Sequence, residues 1–234
     1  MTQSMRNLAD DRAAVEVQTA RLLETVRGLD PDSVGAATLC PGWSRGHVLA
    51  HVARNADGLD NLVTAVTRGR HVPMYASPEA RDADIESGSG RPLAEQLADL
   101  EASAGRWRDA AATLGDEHAD VRVETRGGST AHAGYLPFMR LREVVFHHVD
   151  LEAGFSFVDL DGELLTAFLD DELRRLNRNP ATPGMTIRTD EGDAWSVGDG
   201  QPTVSGSRPA VLGWLARGLT QGVVGDLPTL PRGT

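Results

Sequence analysis

A single cysteine, Cys40, stands among the 234 residues, which excludes an intrachain disulfide. The N-terminus has no apolar segment of the signal-peptide kind, and nowhere is a hydrophobic run long enough to span a bilayer, so a cytoplasmic protein is expected. Clusters of basic residues are missing too. With 34 acidic against 23 basic residues the formal net charge is −11, and neither nucleic acid nor an anionic membrane is an expected partner. An anionic substrate would need positive charge placed locally. No repeat or low-complexity tract stands out. What is present, 40% hydrophobic and 24% charged residues, is ordinary for a globular chain of one large domain or two modest ones.

The stretch Leu141-Arg142-Glu143-Val144-Val145-Phe146-His147-His148-Val149-Asp150 carries the strongest chemical signal. On a helix, Glu143 and His147 sit one turn apart on one face and can converge on a point. A carboxylate and an imidazole are two ligands, one short of the three that a catalytic zinc takes from protein. His51 is the candidate for the third. Glu and His four apart on a helix most often make only a weak surface contact. Here Val144, Leu151 and Leu136 border the same side of the wheel, so the pair edges onto apolar surface and needs a partner. His148 points about 100° away from His147 and stays outside the set.

Taken in order, residues 3–29 read as an amphipathic helix with Leu8, Val15, Leu22, Val26 and Leu29 inside. Cys40-Pro41-Gly42-Trp43-Ser44 makes a turn whose serine caps a second helix, running to about Arg68. Its stripe of Val48, Val52, Leu59, Leu62 and Val66 brings His51 and Asn55 inward as a polar pair. Residues 69–91 form a long connection, with a short helix beginning at Ser77-Pro78-Glu79 and carrying Arg81, then a Gly/Ser-rich tip. Glu79, Asp82 and Asp84 are available to pair with Arg81. A third helix opens at Pro92 and repeats Leu93, Leu97, Leu100, Ala104, Trp107, Ala111 and Leu114. Val121, Val123 and Thr125 suggest a small hairpin before a fourth helix near Leu136. Antiparallel packing lets the second and fourth helices face each other, setting His51 against Glu143 and His147. Beyond Gly154 the pattern changes: a helix capped by Asp161, short strands around 185–189, 194–197 and 202–204, and a last helix from Ser207. The expected class is α+β, with a four-helix bundle over residues 1–153 and a small α/β domain over 154–234.

The segment Cys40-Pro41-Gly42-Trp43-Ser44 with His51, the segment Pro73-Met74-Tyr75-Ala76-Ser77-Pro78-Glu79-Ala80-Arg81, and Arg142-Glu143-Val144 with His147-His148-Val149-Asp150-Leu151 resemble mycothiol-dependent maleylpyruvate isomerases. The resemblance spans nearly the whole chain and implies a DinB-like bundle followed by a smaller α/β domain. It implies that His51, Glu143 and His147 hold zinc, that Arg81 is catalytic and binds substrate, and that Arg217 is the nearest candidate for a second substrate contact. It implies mycothiol as the thiol cofactor, a small dicarboxylate as substrate, and a place in gentisate-type aromatic degradation. A two-histidine, one-carboxylate set also suits non-haem iron; zinc comes from the resemblance.

In the implied reaction the thiol adds to the cis double bond of maleylpyruvate, the resulting single bond turns, and elimination gives fumarylpyruvate. Two other classes fit the same residues: a metal-dependent mycothiol S-transferase that keeps its adduct, and a non-enzymatic metal-binding regulator, which has no need of Arg81. No leftover apolar helix face is evident, so a monomer is expected. Cys40, beside a helix start, is the internal rival to the external thiol. Cys40→Ala is expected to keep most activity in a thiol-dependent turnover assay; activity abolished with metal still bound would reject an external nucleophile.

Overall fold

The computed structural model describes residues 7–231. The chain divides into two units, residues 1–155 and 156–234, two residues beyond the boundary expected from sequence. The difference comes from Phe155, whose ring stacks on His148 at 3.8 Å after a turn through Glu152 and Gly154, both at positive φ.

The first unit is helical. Asn7 caps α1 (Leu8–Arg27) by accepting from Asp10 N at 2.8 Å; the expected start at residue 3 lies outside the described residues. α2 (Arg45–Thr67) begins at Ser44, whose hydroxyl accepts from His47 N, while Ser44 N donates to His47 Nδ1. This reciprocal pairing satisfies donors that a helix start leaves free. α3 (Pro78–Ser89) is capped by Ser77, which accepts from Ala80 N. At 12 residues α3 is longer than the sequence suggests, and the Gly/Ser stretch expected as a loop tip is its last turn. Those small residues are spent on close approach: a Cβ on Gly46 would run into the Ser89 carbonyl, and one on Gly88 would meet Ala50 Cβ at 2.9 Å. α3 therefore lies flush on the first half of α2.

α4 (Leu93–Ala111) starts after Pro92, but its buried stripe is Leu93, Gln96, Leu100, Ser103 and Trp107, with Leu97 only partly buried. Gln96 is inside because its Nε2 donates to the Ser89 and Arg91 carbonyls, tying down the α3–α4 turn. An antiparallel hairpin, β1 (Arg122–Glu124) with β2 (Thr130–His132), precedes α5 (Leu136–Asp150). α2 packs against α3, α4 and α5, and α1 against α4 and α5, so α1, α2, α4 and α5 make the bundle with α3 added on one flank. Leu22, Val26, Val48, Leu49, Val52, Leu100, Val144 and Leu151 form its core. No helix among the described residues is long and apolar enough to cross a membrane.

The second unit holds α6 (Gly162–Arg178), capped by Asp161, then β3 (Met185–Thr189), β4 (Ala194–Val197), β5 (Thr203–Gly206), α7 (Arg208–Arg217) and β6 (Val223–Gly225). The sheet order is β4-β3-β5-β6, parallel only between β3 and β5. Three residues long, with Val224 exposed, β6 leaves no alternation for the sequence to reveal. The class is α+β, as expected.

Candidate metal centre

The site forms where the start of α2 meets the end of α5. Leu39 N donates to the Asp150 carbonyl, and the Arg45 guanidinium donates to the carbonyls of Leu151 and Glu152 at 2.9 and 3.0 Å. These bonds occupy acceptors that the end of α5 leaves open and fix the Cys40–Ser44 turn over it. The helices run antiparallel: Arg45 meets Leu151, His51 meets His147, and Asn55 meets Arg140.

Between them, His51, Glu143 and His147 bring one ligand atom each to within 4.8 Å of one another. His51 Nε2 is 3.0 Å and His147 Nε2 3.5 Å from Glu143 Oε2, with the imidazoles edge to face at 4.6 Å. Burial lowers the pKa of His51 to about 4, outweighing the hydrogen bond to Glu143. Burial pushes the Glu143 carboxyl upward, but hydrogen bonds from His147 and His51 hold it well below the usual range. Burial also disfavours the imidazolium of His147; hydrogen bonds to Asp150, Cys40 and Glu143 override it and raise that pKa well above the ordinary value. One neutral imidazole, one carboxylate and one imidazole that sheds a proton to a metal make a fitting donor set for a divalent ion.

Asp150, fully buried, accepts at Oδ2 from His147 Nδ1 at 2.8 Å and from the Cys40 thiol at 3.2 Å. This fixes the ring of His147 so that Nε2 faces Glu143, the carboxylate–histidine arrangement typical of metal sites. Cys40, His147 and Asp150 also form a cluster of donor atoms, which shares His147 with the first. Trp43 covers the imidazoles, with ring centroids 5.2 Å from His51 and 6.4 Å from His147. His148 turns the other way and bonds Thr25 on α1 at 2.8 Å, outside the cluster.

Arg81 reaches the site from α3. It is 6% exposed; Nη2 lies 3.0 Å from His51 Nδ1 and Nη1 2.6 Å from Asp82 Oδ1, and the guanidinium lies 5.7 Å from the Tyr75 ring centroid. The pairing with Asp82 foreseen from sequence is present, and the bond to His51 is added to it. Arg217 belongs to the second unit, at the end of α7, where Nη1 donates to the Ala216 carbonyl.

Arg140 was not foreseen. It is 1% exposed, and Nη1 donates to the Val52 carbonyl at 2.8 Å and Asn55 Oδ1 at 2.9 Å. Burial lowers its pKa to about 10, which leaves it a cation at neutral pH. Its signal was in the sequence: it sits one turn before Glu143 on the stripe that includes His147, where an apolar residue would be ordinary.

Residues 15–152, more than half of the chain, match the family model described as the mycothiol maleylpyruvate isomerase N-terminal domain. The chain belongs to that family. Two solved structures cover 100% of this chain and 100% of their own, each with a TM-score of 0.91: the mycothiol-dependent maleylpyruvate isomerase, at 29% identity, and a histidine-to-alanine mutant of it, at 28%. Among curated protein sequences none matches. In this member of the mycothiol maleylpyruvate isomerase family, Arg140 and Asn55 brace the two helices that bear the cluster. Asn55→Leu is expected to destabilise the protein by about 3 kcal/mol in urea denaturation, because a buried guanidinium loses a partner. Adding Arg140→Met should recover most of that loss, and a double variant no more stable than Asn55→Leu alone would refute the brace.

Proposed function

We propose that the chain is a mycothiol-dependent maleylpyruvate isomerase, holding zinc on His51, Glu143 and His147, with Arg81 as the catalytic residue that binds the dicarboxylate. The observation that carries this reading is the convergence of Arg81 on the His51–Glu143–His147 cluster, in a chain alike from end to end to solved isomerases. Zinc held by His51, Glu143 and His147 would supply a Lewis acid to a thiol or to the carbonyl conjugated to the double bond.

The cis double bond of maleylpyruvate turns only while a thiol added across it leaves a single bond, and elimination returns that thiol unchanged. Addition drives negative charge onto the conjugated oxygen, so fixed positive charge there lowers the barrier more than it stabilises the ground state. Arg81 offers a planar fork to a substrate carboxylate and orients the reacting end. Asp150 keeps His147 in the orientation that would leave Nε2 for a metal, and the Trp43 ring packs against both imidazoles. The exposed large hydrophobic residues, Val17, Val121, Val158, Leu219 and Val224, stand singly on different segments, which supports a monomer. The free thiol of Cys40 suits the reducing cytoplasm.

The deciding experiment is an absorbance assay of maleylpyruvate conversion to fumarylpyruvate by zinc-loaded protein, with and without mycothiol. Turnover should depend on the thiol and fall by about 100-fold or more in both His51→Ala and Arg81→Ala. A zinc-loaded wild type that does not turn over with mycothiol present would reject the reading, and a stable thiol adduct in place of the isomer would make the protein a transferase. The histidines also set a pH dependence for zinc binding itself. Below about pH 6 the raised His147 carries a proton and His51, lowered to about 4, carries none until about pH 4, so binding displaces one proton in that range. Apparent affinity is expected to rise about tenfold per pH unit from about pH 5 to 6, and more steeply below about pH 4, where His51 is protonated as well. A flat profile in chelator competition over that range would contradict the assignment.

A further inference from the structure

A histidine that ligates through one ring nitrogen carries its proton on the other, where it donates to a carboxylate, carbonyl or water. His147 fits: Nδ1 faces Asp150 Oδ2 and Nε2 faces Glu143. His51 does not. Its Nδ1 faces Arg81 Nη2 at 3.0 Å, and a guanidinium has protons to give and no lone pair to receive one. Nδ1 must therefore be the acceptor, and the single proton of the neutral ring sits on Nε2, donated to Glu143 Oε2 at 3.0 Å. One tautomer satisfies both contacts, and it is the tautomer that cannot ligate through Nε2.

We propose that metal bound at His51, Glu143 and His147 expels Arg81 from His51, so that Arg81 is a placeholder in the metal-free protein and is released to an anionic ligand only in the loaded one. The inference rests on the metal-centre reading above. For Nε2 to present its lone pair, the ring proton must move to Nδ1; the ring stays neutral and no proton enters or leaves it. Nδ1–H then points at an N–H donor, and an attraction becomes a repulsion.

Arg81 is placed to yield. Its Nε has no hydrogen-bond partner, and besides His51 it is held by the Asp82 carboxylate, whose side chain is 66% exposed, and by a side-chain hydrogen bond with Tyr75. The backbone of α3, held against α2 at Gly46 and Gly88, has no need to shift. By linkage the effect is reciprocal: an anion that draws Arg81 off His51 tightens metal binding by the factor with which the metal tightens anion binding.

The test is zinc affinity by competition with a chromogenic chelator for wild type, His51→Ala, Arg81→Met and Arg81→Gln, each checked for folding by circular dichroism. Arg81→Met removes the opposing donor, and Arg81→Gln can turn a carbonyl oxygen toward Nδ1–H. Zinc binding about tenfold tighter than wild type is expected in the Arg81 variants, against a roughly 10- to 100-fold loss in His51→Ala. If neither Arg81 variant binds more tightly, the proposal is overturned while the metal centre stands. If His51→Ala binds zinc as wild type does, the metal-centre reading itself is wrong. A crystal structure of the zinc-loaded wild type decides the matter without any variant: Arg81 Nη2 should lie beyond hydrogen-bond distance of His51 Nδ1, and a retained contact would overturn the proposal.

Discussion

Lodging the Glu143 carboxylate between two imidazoles on separate helices requires that α2 and α5 keep one spacing and one register. A relative slide of a single residue, 1.5 Å along a helix, would separate Nε2 of His51 from its carboxylate by more than a hydrogen bond tolerates. The packing of Val48, Val52, Val144 and Leu151 sets the distance, and non-directional apolar contacts alone would leave the register loose. Directional bonds on either side of the cluster fix it: Arg45 to the end of α5, and Arg140 back to Val52 and Asn55.

The antiparallel arrangement also divides the two histidines electrostatically. His51 stands in the second turn of α2, beyond the reach of that helix's N-terminal dipole, and His147 stands in the last turn of α5, where the helix dipole favours positive charge. Asp150 adds to that bias from within the same turn. The opposed pKa shifts of the two rings follow from burial and hydrogen bonding, and the dipole of α5 acts in the same sense at His147. The side chain is the same at both positions, and the surroundings alone divide their behaviour.

The convergence of His51, Glu143 and His147 was legible in the sequence because it depends on two short-range regularities, the four-residue spacing of Glu143 and His147 and the inward position of His51 on its wheel. Which helices would face each other was legible from their number and length. The approach of Arg81 to His51 was not, since it depends on how closely α3 lies on α2, and that is decided by missing side chains at Gly46 and Gly88. The roles of Cys40 and Asp150 were hidden for a similar reason: they meet across 110 residues, through a turn held by backbone hydrogen bonds that leave no periodic trace. Gln96 misled the reading of α4 because a polar residue that satisfies two carbonyls is as welcome inside as a leucine. β6 offered three residues and one exposed valine, too little for any period to register.

A chain with a net charge of −11 repels anions at long range, but that field decays over about 8 Å at physiological ionic strength, whereas charges buried in the site are screened far less. All 23 basic residues are arginines, a side chain that stays protonated when buried. Arg140 keeps its proton with almost no exposed surface, where a lysine at the same depth would be prone to lose it. The two arginines near the cluster differ in what they bond. Arg140 donates to a helix carbonyl and to a buried amide, acceptors that do not change, and so it braces the helices. Arg81 bonds the Tyr75 side chain, an exposed carboxylate, and a ring nitrogen that accepts only while the opposite nitrogen carries the proton. The permanence of an arginine's contacts is therefore set by its acceptors: those of Arg140 do not depend on a proton, and one of those of Arg81 does.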